Sequence, residues 1–263
     1  MTFKTITSAD GTRIAFETTG DGAPLVLVGG AFCDRSARAS GTPLAALLAH
    51  RFTVYSYDRR ARGDSGNTLP YAMEREVDDL AALLAHAGGG AHVFGNSSGA
   101  LLAWDAALRG LPIQKLVMFE PPVIVDRDQA ESAEQTAKEL DLAVAAERPG
   151  DAAELFLTKI VRMPPPVVSR MRGSPMWSGL EKLAHTLSSD VRITARGPAR
   201  LAEAKTLRTT ALFIEGAASP PWMREPLRAL TSAMPNASVR TLEGQTHDVD
   251  PNVLARAIEA FLN

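Results

Sequence analysis

One cysteine, Cys33, stands in a chain of 263 residues. A single thiol excludes an internal disulfide and any zinc site built on cysteines, and on its own it reads as packing. Long hydrophobic runs are missing as well. No apolar stretch approaches the ~20 residues of a membrane span, and the opening segment 1–10 is polar and alternating, unlike a secretory signal. Excess charge of one sign is also lacking, since 28 Lys and Arg face 30 Asp and Glu. That balance gives no reason to expect nucleic acid or an anionic membrane as a partner. The densest basic run, Arg59-Arg60-Ala61-Arg62, is short and meets Asp64 directly. With no basic cluster for phosphate and no cluster of metal ligands, neither a cofactor nor a metal is expected. The expectation is a cytoplasmic protein, monomer or homodimer, without a nucleic-acid or membrane partner.

What is present is an ordinary globular composition, and its length suits one large α/β domain with an inserted subdomain. Segments 3–7 and 13–18 read as two antiparallel strands around the Asp10-Gly11 turn. Leu25-Val26-Leu27-Val28 is apolar on both faces, as a central parallel strand should be. Segments 52–57, 92–94, 116–119 and 211–214 repeat that character, and 237–242 supplies a last strand. Helical spacing separates them: Glu74, Val77, Leu80, Leu83 and Leu84, stopped by Gly88-Gly89-Gly90; Leu101 to Leu108, stopped by Gly110 and Pro112; Pro226 to Met234; and Val253 to Phe261. This alternation predicts a mostly parallel eight-stranded sheet with helices on both faces.

One stretch breaks the alternation. From 123 to 206 the pattern is helical, over 131–146, 152–161 and 175–187, with Met163-Pro164-Pro165-Pro166 as a rigid break. The expected organisation is a core of 1–122 and 207–263, with 123–206 as a helical cap over the sheet's C-terminal edge, where open α/β sheets bind ligands.

The segment Val93-Phe94-Gly95-Asn96-Ser97-Ser98-Gly99-Ala100 carries the chemistry. An apolar strand turns through G-x-S-x-G into the helical pattern Leu101, Leu102, Trp104, Leu108. Only small residues fit beside the central serine, which the turn presents above the strand end as a nucleophile. A serine hydroxyl needs a base within hydrogen-bond reach. His247 lies in a loop between the last strand and the last helix, which brings it to the same edge. His50, His86 and His92 read as structural. His185 falls in the cap, where a surface or core role outweighs a substrate contact.

Four motifs in this order resemble the α/β-hydrolase fold along almost the whole chain. Gly29-Gly30-Ala31 is similar to the oxyanion loop, and the segment from Tyr57 to Ser65 to the D-x-R-G-x-G-x-S turn. Gly95–Gly99 matches the nucleophile turn, and Gly244–His247 the histidine loop. The resemblance implies a cofactor-free serine hydrolase with Ser97 as nucleophile, His247 as base and the backbone N–H groups of Ala31 and Ser98 as oxyanion donors. Gly29 stands where family members often carry histidine, without loss of a backbone donor. The usual aspartate after strand seven is replaced, with Ser219 in Gly216-Ala217-Ala218-Ser219-Pro220. Glu120, at the end of strand six, is the substitute acid, a placement similar to that of certain haloalkane dehalogenases and the zearalenone lactonases. The rival role for Glu120 is a cap on the turn into the lid. Glu215 is the next candidate, and Asp248 a poor one because it adjoins His247.

Gly30, Phe32, Met163, Met176, Trp177 and Trp222 are candidate pocket residues, alongside Phe156 and Met171, although several of the cap's apolar residues would simply fill its own interior. The implied reaction is cleavage of a carboxylic ester or lactone of a small apolar molecule through an acyl-enzyme on Ser97. The alternatives are C–C, thioester or amide hydrolysis or perhydrolysis on the same residues, or a ligand-binding relative without catalysis. Haloalkane dehalogenase and epoxide hydrolase chemistry would require an aspartate in place of Ser97.

Overall fold

The computed structural model describes residues 3–263; Met1 and Thr2, at the head of the polar N-terminal segment, lie outside the described residues. The chain divides into two compact units, one of Met1–Val123 with Ala199–Asn263 and one of Ile124–Pro198.

The first unit is built on a sheet of β1 (Lys4–Thr7), β2 (Arg13–Thr19), β3 (Ala23–Val28), β4 (Phe52–Tyr57), β5 (Ala91–Asn96), β6 (Ile113–Phe119), β7 (Thr210–Gly216) and β8 (Ala237–Leu242). Their spatial order is β1-β2-β4-β3-β5-β6-β7-β8. The β1–β2 and β2–β4 pairs are antiparallel and the remaining pairs parallel. The expected opening hairpin is present, with Lys4 opposite Phe16 and Thr7 opposite Arg13. The Asp10 carboxylate accepts from the Thr12 N–H at 3.0 Å, and Gly11 supplies φ 85 for the turn. The central strands are buried on both faces, which explains why β3 reads as a continuous apolar run.

Side chains alternate across the sheet, so each strand feeds two layers. Leu25, Leu27, Phe94, Val117, Phe119 and Ile214 point to one face. There they pack with Leu44 and Leu48 of α1 (Thr42–Leu48) and with Leu254 and Ile258 of the closing helix, Pro251–Leu262. On the other face lie α2 (Met73–His86) and α3 (Ser98–Leu108), with Trp104 of α3 edge-on to Phe213. α1 is short, its seven residues spanning about two turns.

The second unit is helical. It contains α4 (Arg127–Ala145), α5 (Pro149–Leu155), a π-helical turn (Phe156–Ile160), α6 (Pro165–Arg172), α7 (Trp177–Leu183), a 3₁₀ turn (Ala184–Thr186) and α8 (Leu187–Ala195). Asp126 caps α4 by accepting from the Gln129 N–H at 2.9 Å. α4 packs on α8, and Arg192 reaches across to Glu134 and Asp141. The expected break falls at 161–164, and the later prolines of the run start α6, since proline in a first turn removes an N–H that would have no partner there. The helix expected over 152–161 changes to π geometry after Leu155.

The return from this unit occurs earlier than the expected 206. α9 (Gly197–Glu203) crosses the division, and beyond it Arg200 is fully buried against Asp105 of α3. A guanidinium paired inside the first unit's interior anchors residues 199–206 there. After β7, α10 (Pro221–Ser232) begins five residues ahead of the expected Pro226, because Pro221 takes the first-turn position and Pro226 is tolerated inside. α11 (Pro251–Leu262) closes the chain, capped by Asp250 on the Asn252 N–H.

The Arg200–Asp105 pair should be structurally costly to break. Asp105→Ala leaves a buried guanidinium without its carboxylate and is expected to lower unfolding free energy by about 3–5 kcal/mol, read by urea titration. A loss below about 1 kcal/mol, the range of exposed pairs, would show that the anchor contributes little.

Candidate active site

β3 has β4 on one side and β5 on the other. The chain leaves β3 for β4 and then passes back across to β5, so connections diverge at their carboxyl ends and open a crevice there. The two turns bordering that crevice are Gly29–Phe32 after β3 and Ser97 after β5.

β5 ends at Asn96 and α3 begins at Ser98, so Ser97 alone makes the reversal. Its backbone sits at φ 54, ψ −125, a conformation that costs a non-glycine residue about 1–3 kcal/mol. The Ser97 N–H donates to Phe119 O at 2.9 Å, which ties the turn to β6. A Cβ on Gly95 would fall 2.4 Å from Ala100 Cα, and one on Gly99 would fall 2.4 Å from the carbonyl oxygens of Val28 and Gly29. The glycine spacing is therefore a packing requirement of helix against strand end.

Glu120 directly follows β6, with φ 42, and is 2% exposed. Its N–H donates to Ile214 O at 2.9 Å. Its carboxylate accepts from the Gly216 N–H at 2.8 Å and, through the other oxygen, lies 2.7 Å from His247 Nδ1. A carboxylate can only accept, so Nδ1 carries the proton and Nε2 is left as the basic nitrogen. The imidazole also stacks on Phe119, centroids 5.9 Å apart and planes 14° from parallel. The loop bearing His247 is tied to the end of β7, the Ala217 N–H donating to Leu242 O and the Ala218 N–H to Gln245 O, both at 2.9 Å. Among the described residues no hydrogen bond joins the Ser97 hydroxyl to His247.

The other two carboxylates considered from sequence are committed elsewhere. Glu215 is fully buried and takes hydrogen bonds from Thr241, Arg224 and Arg228. Asp248 faces solvent and pairs with Arg38. Burial pushes the Glu120 carboxyl up, but the hydrogen bonds from His247 and the Gly216 N–H, with the neighbouring Ser219 hydroxyl, outweigh it and hold it below the ordinary glutamate value. Ser219, where the resemblance places an aspartate, is thus buried beside the carboxylate that pairs with the histidine.

The Gly29–Phe32 loop abuts the serine turn, since a Cβ on Gly30 would fall 2.8 Å from Ser97 Cβ. The Ala31 N–H enters none of the loop's backbone hydrogen bonds, and Ser98 is the first residue of α3. Phe32 holds φ 56. Of the candidate pocket residues, Gly30 is buried and Phe32 and Trp222 half-buried, all in the first unit. In the second unit Met163 is half-buried and Met176 is 57% exposed. Trp177 is buried, with Arg172 over its ring and its indole N–H donating to Glu181 at 3.1 Å.

Sequence reading passed over Arg59 and Arg62, whose side chains run from the turn after β4 to the carbonyls of Gly29 and Gly30. The available signal was their place at the carboxyl end of β4, next to β3. In that turn Asp58 holds the Arg35 N–H at 2.7 Å, the Arg35 guanidinium and the Asp64 N–H at 2.9 Å. Ala61 adopts φ 64 where the resembling motif has glycine. Among the described residues no group of three or more His, Cys, Asp or Glu could hold a metal ion, and no helix is long and apolar enough to cross a membrane.

Residues 25–261 match the model of the Alpha/beta hydrolase family. The chain is 46% identical to an alpha/beta hydrolase from Sphaerobacter thermophilus, covering 99% of this chain and 100% of that one with a TM-score of 0.90. A thermophilic esterase from Thermogutta terrifontis is 24% identical, with 100% and 98% covered and a TM-score of 0.75. An enol-lactonase from Burkholderia xenovorans is 21% identical, with 98% and 96% covered and a TM-score of 0.68. At those last two identities the likeness is one of fold.

The lowered pKa of Glu120 has a consequence for stability. A carboxyl whose folded value lies below its unfolded one stabilises the fold above the unfolded pKa, about 4.3 for glutamate, and loses that contribution as pH falls through the folded value. Glu120→Gln is therefore expected to unfold at lower urea than the parent at pH 7 and to approach it as the pH falls below the unfolded glutamate value of about 4.3. A gap in midpoint that stays constant over that range would show that ionisation of Glu120 does not stabilise the fold.

Proposed function

The chain belongs to the alpha/beta hydrolase family, and from that premise we propose that it is a cofactor-independent serine hydrolase of carboxylic esters or lactones of small, mostly apolar molecules. The observation carrying this reading is the 2.7 Å pairing of buried Glu120 with His247 Nδ1, which leaves Nε2 as a base at the edge where Ser97 is presented. In this reading the Ser97 hydroxyl attacks the substrate carbonyl as His247 Nε2 takes its proton, a hydrogen bond that closes only when substrate is bound. The Ala31 and Ser98 N–H groups receive the developing oxyanion. His247 returns the proton to the leaving oxygen, an acyl-enzyme remains on Ser97, and His247 then activates water to release the acid. Glu120 holds the imidazole in the working tautomer and stabilises its charged form.

Glutamate suits this role after β6. Its extra methylene, compared with aspartate, spans the gap from that strand to a histidine arriving from beyond β8, past the intervening end of β7. The esterase and the enol-lactonase with this fold support the choice of ester or lactone only in that the architecture accommodates such chemistry. The second unit's helices, inserted after β6, are proposed to act as a lid that selects the substrate.

Ser97→Ala is expected to abolish labelling by a fluorophosphonate probe and to lower turnover of short-chain p-nitrophenyl esters by roughly 10⁴-fold or more. A labelled Ser97→Ala protein would place the nucleophile elsewhere. Glu120→Gln should retain labelling at a reduced rate, with kcat lower by about 10³–10⁴-fold; near-parent kcat would return Glu120 to a purely structural role.

A further inference from the structure

We propose that Arg62 is a positioning residue of the oxyanion hole: with the Cys33 N–H it clamps the Gly30 carbonyl, and so aims the Ala31 N–H. The inference rests on the reading above that Ala31 receives the oxyanion. In a planar trans peptide the carbonyl of one residue and the N–H of the next point in opposite directions. Whatever holds Gly30 O therefore sets the line of the Ala31 N–H.

Gly30 O is held twice. The Arg62 guanidinium donates to it through Nη1, and the Cys33 N–H donates at 3.3 Å. Arg62 Nη1 also reaches Cys33 O at 3.3 Å, so one side chain spans both ends of the turn. The preceding carbonyl, Gly29 O, accepts from Arg59 Nη1 at 3.2 Å, and Arg59 is itself fixed by Glu76 through bonds of 2.7 and 2.6 Å. Two successive peptide planes of the loop are thus tied to buried cations projecting from the end of β4. The clamped peptide lies at the proposed nucleophile: a Cβ on Gly30 would stand 2.8 Å from Ser97 Cβ and 3.5 Å from Ser97 Oγ.

Two physical points favour a role beyond packing. The loop is not relaxed, since Phe32, the residue after Ala31, sits at φ 56. Such a conformation persists only where its surroundings impose it. Arg62 is 2% exposed, and burying a guanidinium is costly compared with a neutral group of the same size. A cation on the carbonyl oxygen makes a stronger, better-directed hydrogen bond than a neutral donor. It also polarises the same amide, so its N–H becomes a better donor to developing negative charge.

Deleting an oxyanion donor outright lowers kcat by about 10²–10³; misaiming one should cost less. Arg62→Met is expected to lower kcat on a p-nitrophenyl ester by roughly 10–100-fold with KM within about threefold, on that scale. Its inhibition by an aryl trifluoromethyl ketone, which forms a tetrahedral oxyanion on the serine, should weaken by the same factor as kcat/KM. Arg62→Lys, which keeps a cation, should recover most of both. Parent-like kcat in folded Arg62→Met, or a fall in kcat without weaker ketone inhibition, overturns the proposal. If Arg62→Met does not fold, Arg62→Gln is compared with Arg62→Lys. Gln slower than Lys by at least about threefold, with ketone inhibition weakening in step, supports the role; equal rates overturn it. The parent protein separates the two failures. If it neither labels at Ser97 nor cleaves esters, the serine hydrolase reading falls. If it does both and the Arg62 variants match it, only the role of Arg62 falls.

Discussion

The buried carboxylate of Glu120 joins three segments that are distant in sequence. Its backbone directly follows β6, its own N–H and one carboxylate oxygen are bonded to β7, and the other oxygen meets the imidazole arriving from beyond β8. Such a group is costly to bury unless its lone pairs are satisfied. Here a backbone N–H and an imidazole satisfy them, and the carboxyl is held below its ordinary value despite burial. The position of His247 follows from this arrangement, with Phe119 supplying the flat surface on which the ring lies.

Strain gathers around the same edge. Phe32, Ser97 and Glu120 all carry positive φ without being glycine. Each follows a strand of the packed sheet interior, and the N–H groups of Ser97 and Glu120 are bonded to the neighbouring β6 and β7. The core opposes relaxation: Leu27, Phe94, Phe119 and Ile214 belong to one buried cluster beneath these turns. In the turn after β4, Asp58, Arg59 and Arg60 are almost wholly buried, and Arg59 and Arg60 are held by the α2 carboxylates Glu76 and Asp79. Arg60 turns away to Asp79 and Asp10, while Arg59 and Arg62 reach across to the loop after β3.

The replacement of the usual aspartate by Ser219 can now be seen together with the glutamate at 120. Two carboxylates at that spot would repel, and one would be driven toward its neutral form. A small hydroxyl beside Glu120 instead favours its ionised state.

Strand identity, the opening hairpin and the sharp turn at Ser97 were legible in the sequence, because each depends on local rules: apolar runs for doubly buried strands, φ > 0 at Gly11, and absence of a Cβ beside a tight reversal. Helix starts were less legible, since prolines at 165 and 221 are equally read as breaks or as first-turn residues until packing chooses. Glu120 was expected to meet His247 ahead of Glu215 and Asp248, with a cap on the turn as its rival role. Only the assembled sheet decided it, by giving Glu215 to Arg224 and Arg228 and turning Asp248 toward Arg38. The arginine clamp on the Gly29–Gly30 carbonyls was likewise invisible beforehand. The sequence by itself determines which residues can bend, bury or titrate, because those are properties of short segments. The tertiary structure decides which of them meet, because hydrogen bonds and buried charge depend on distances that only the closed sheet sets.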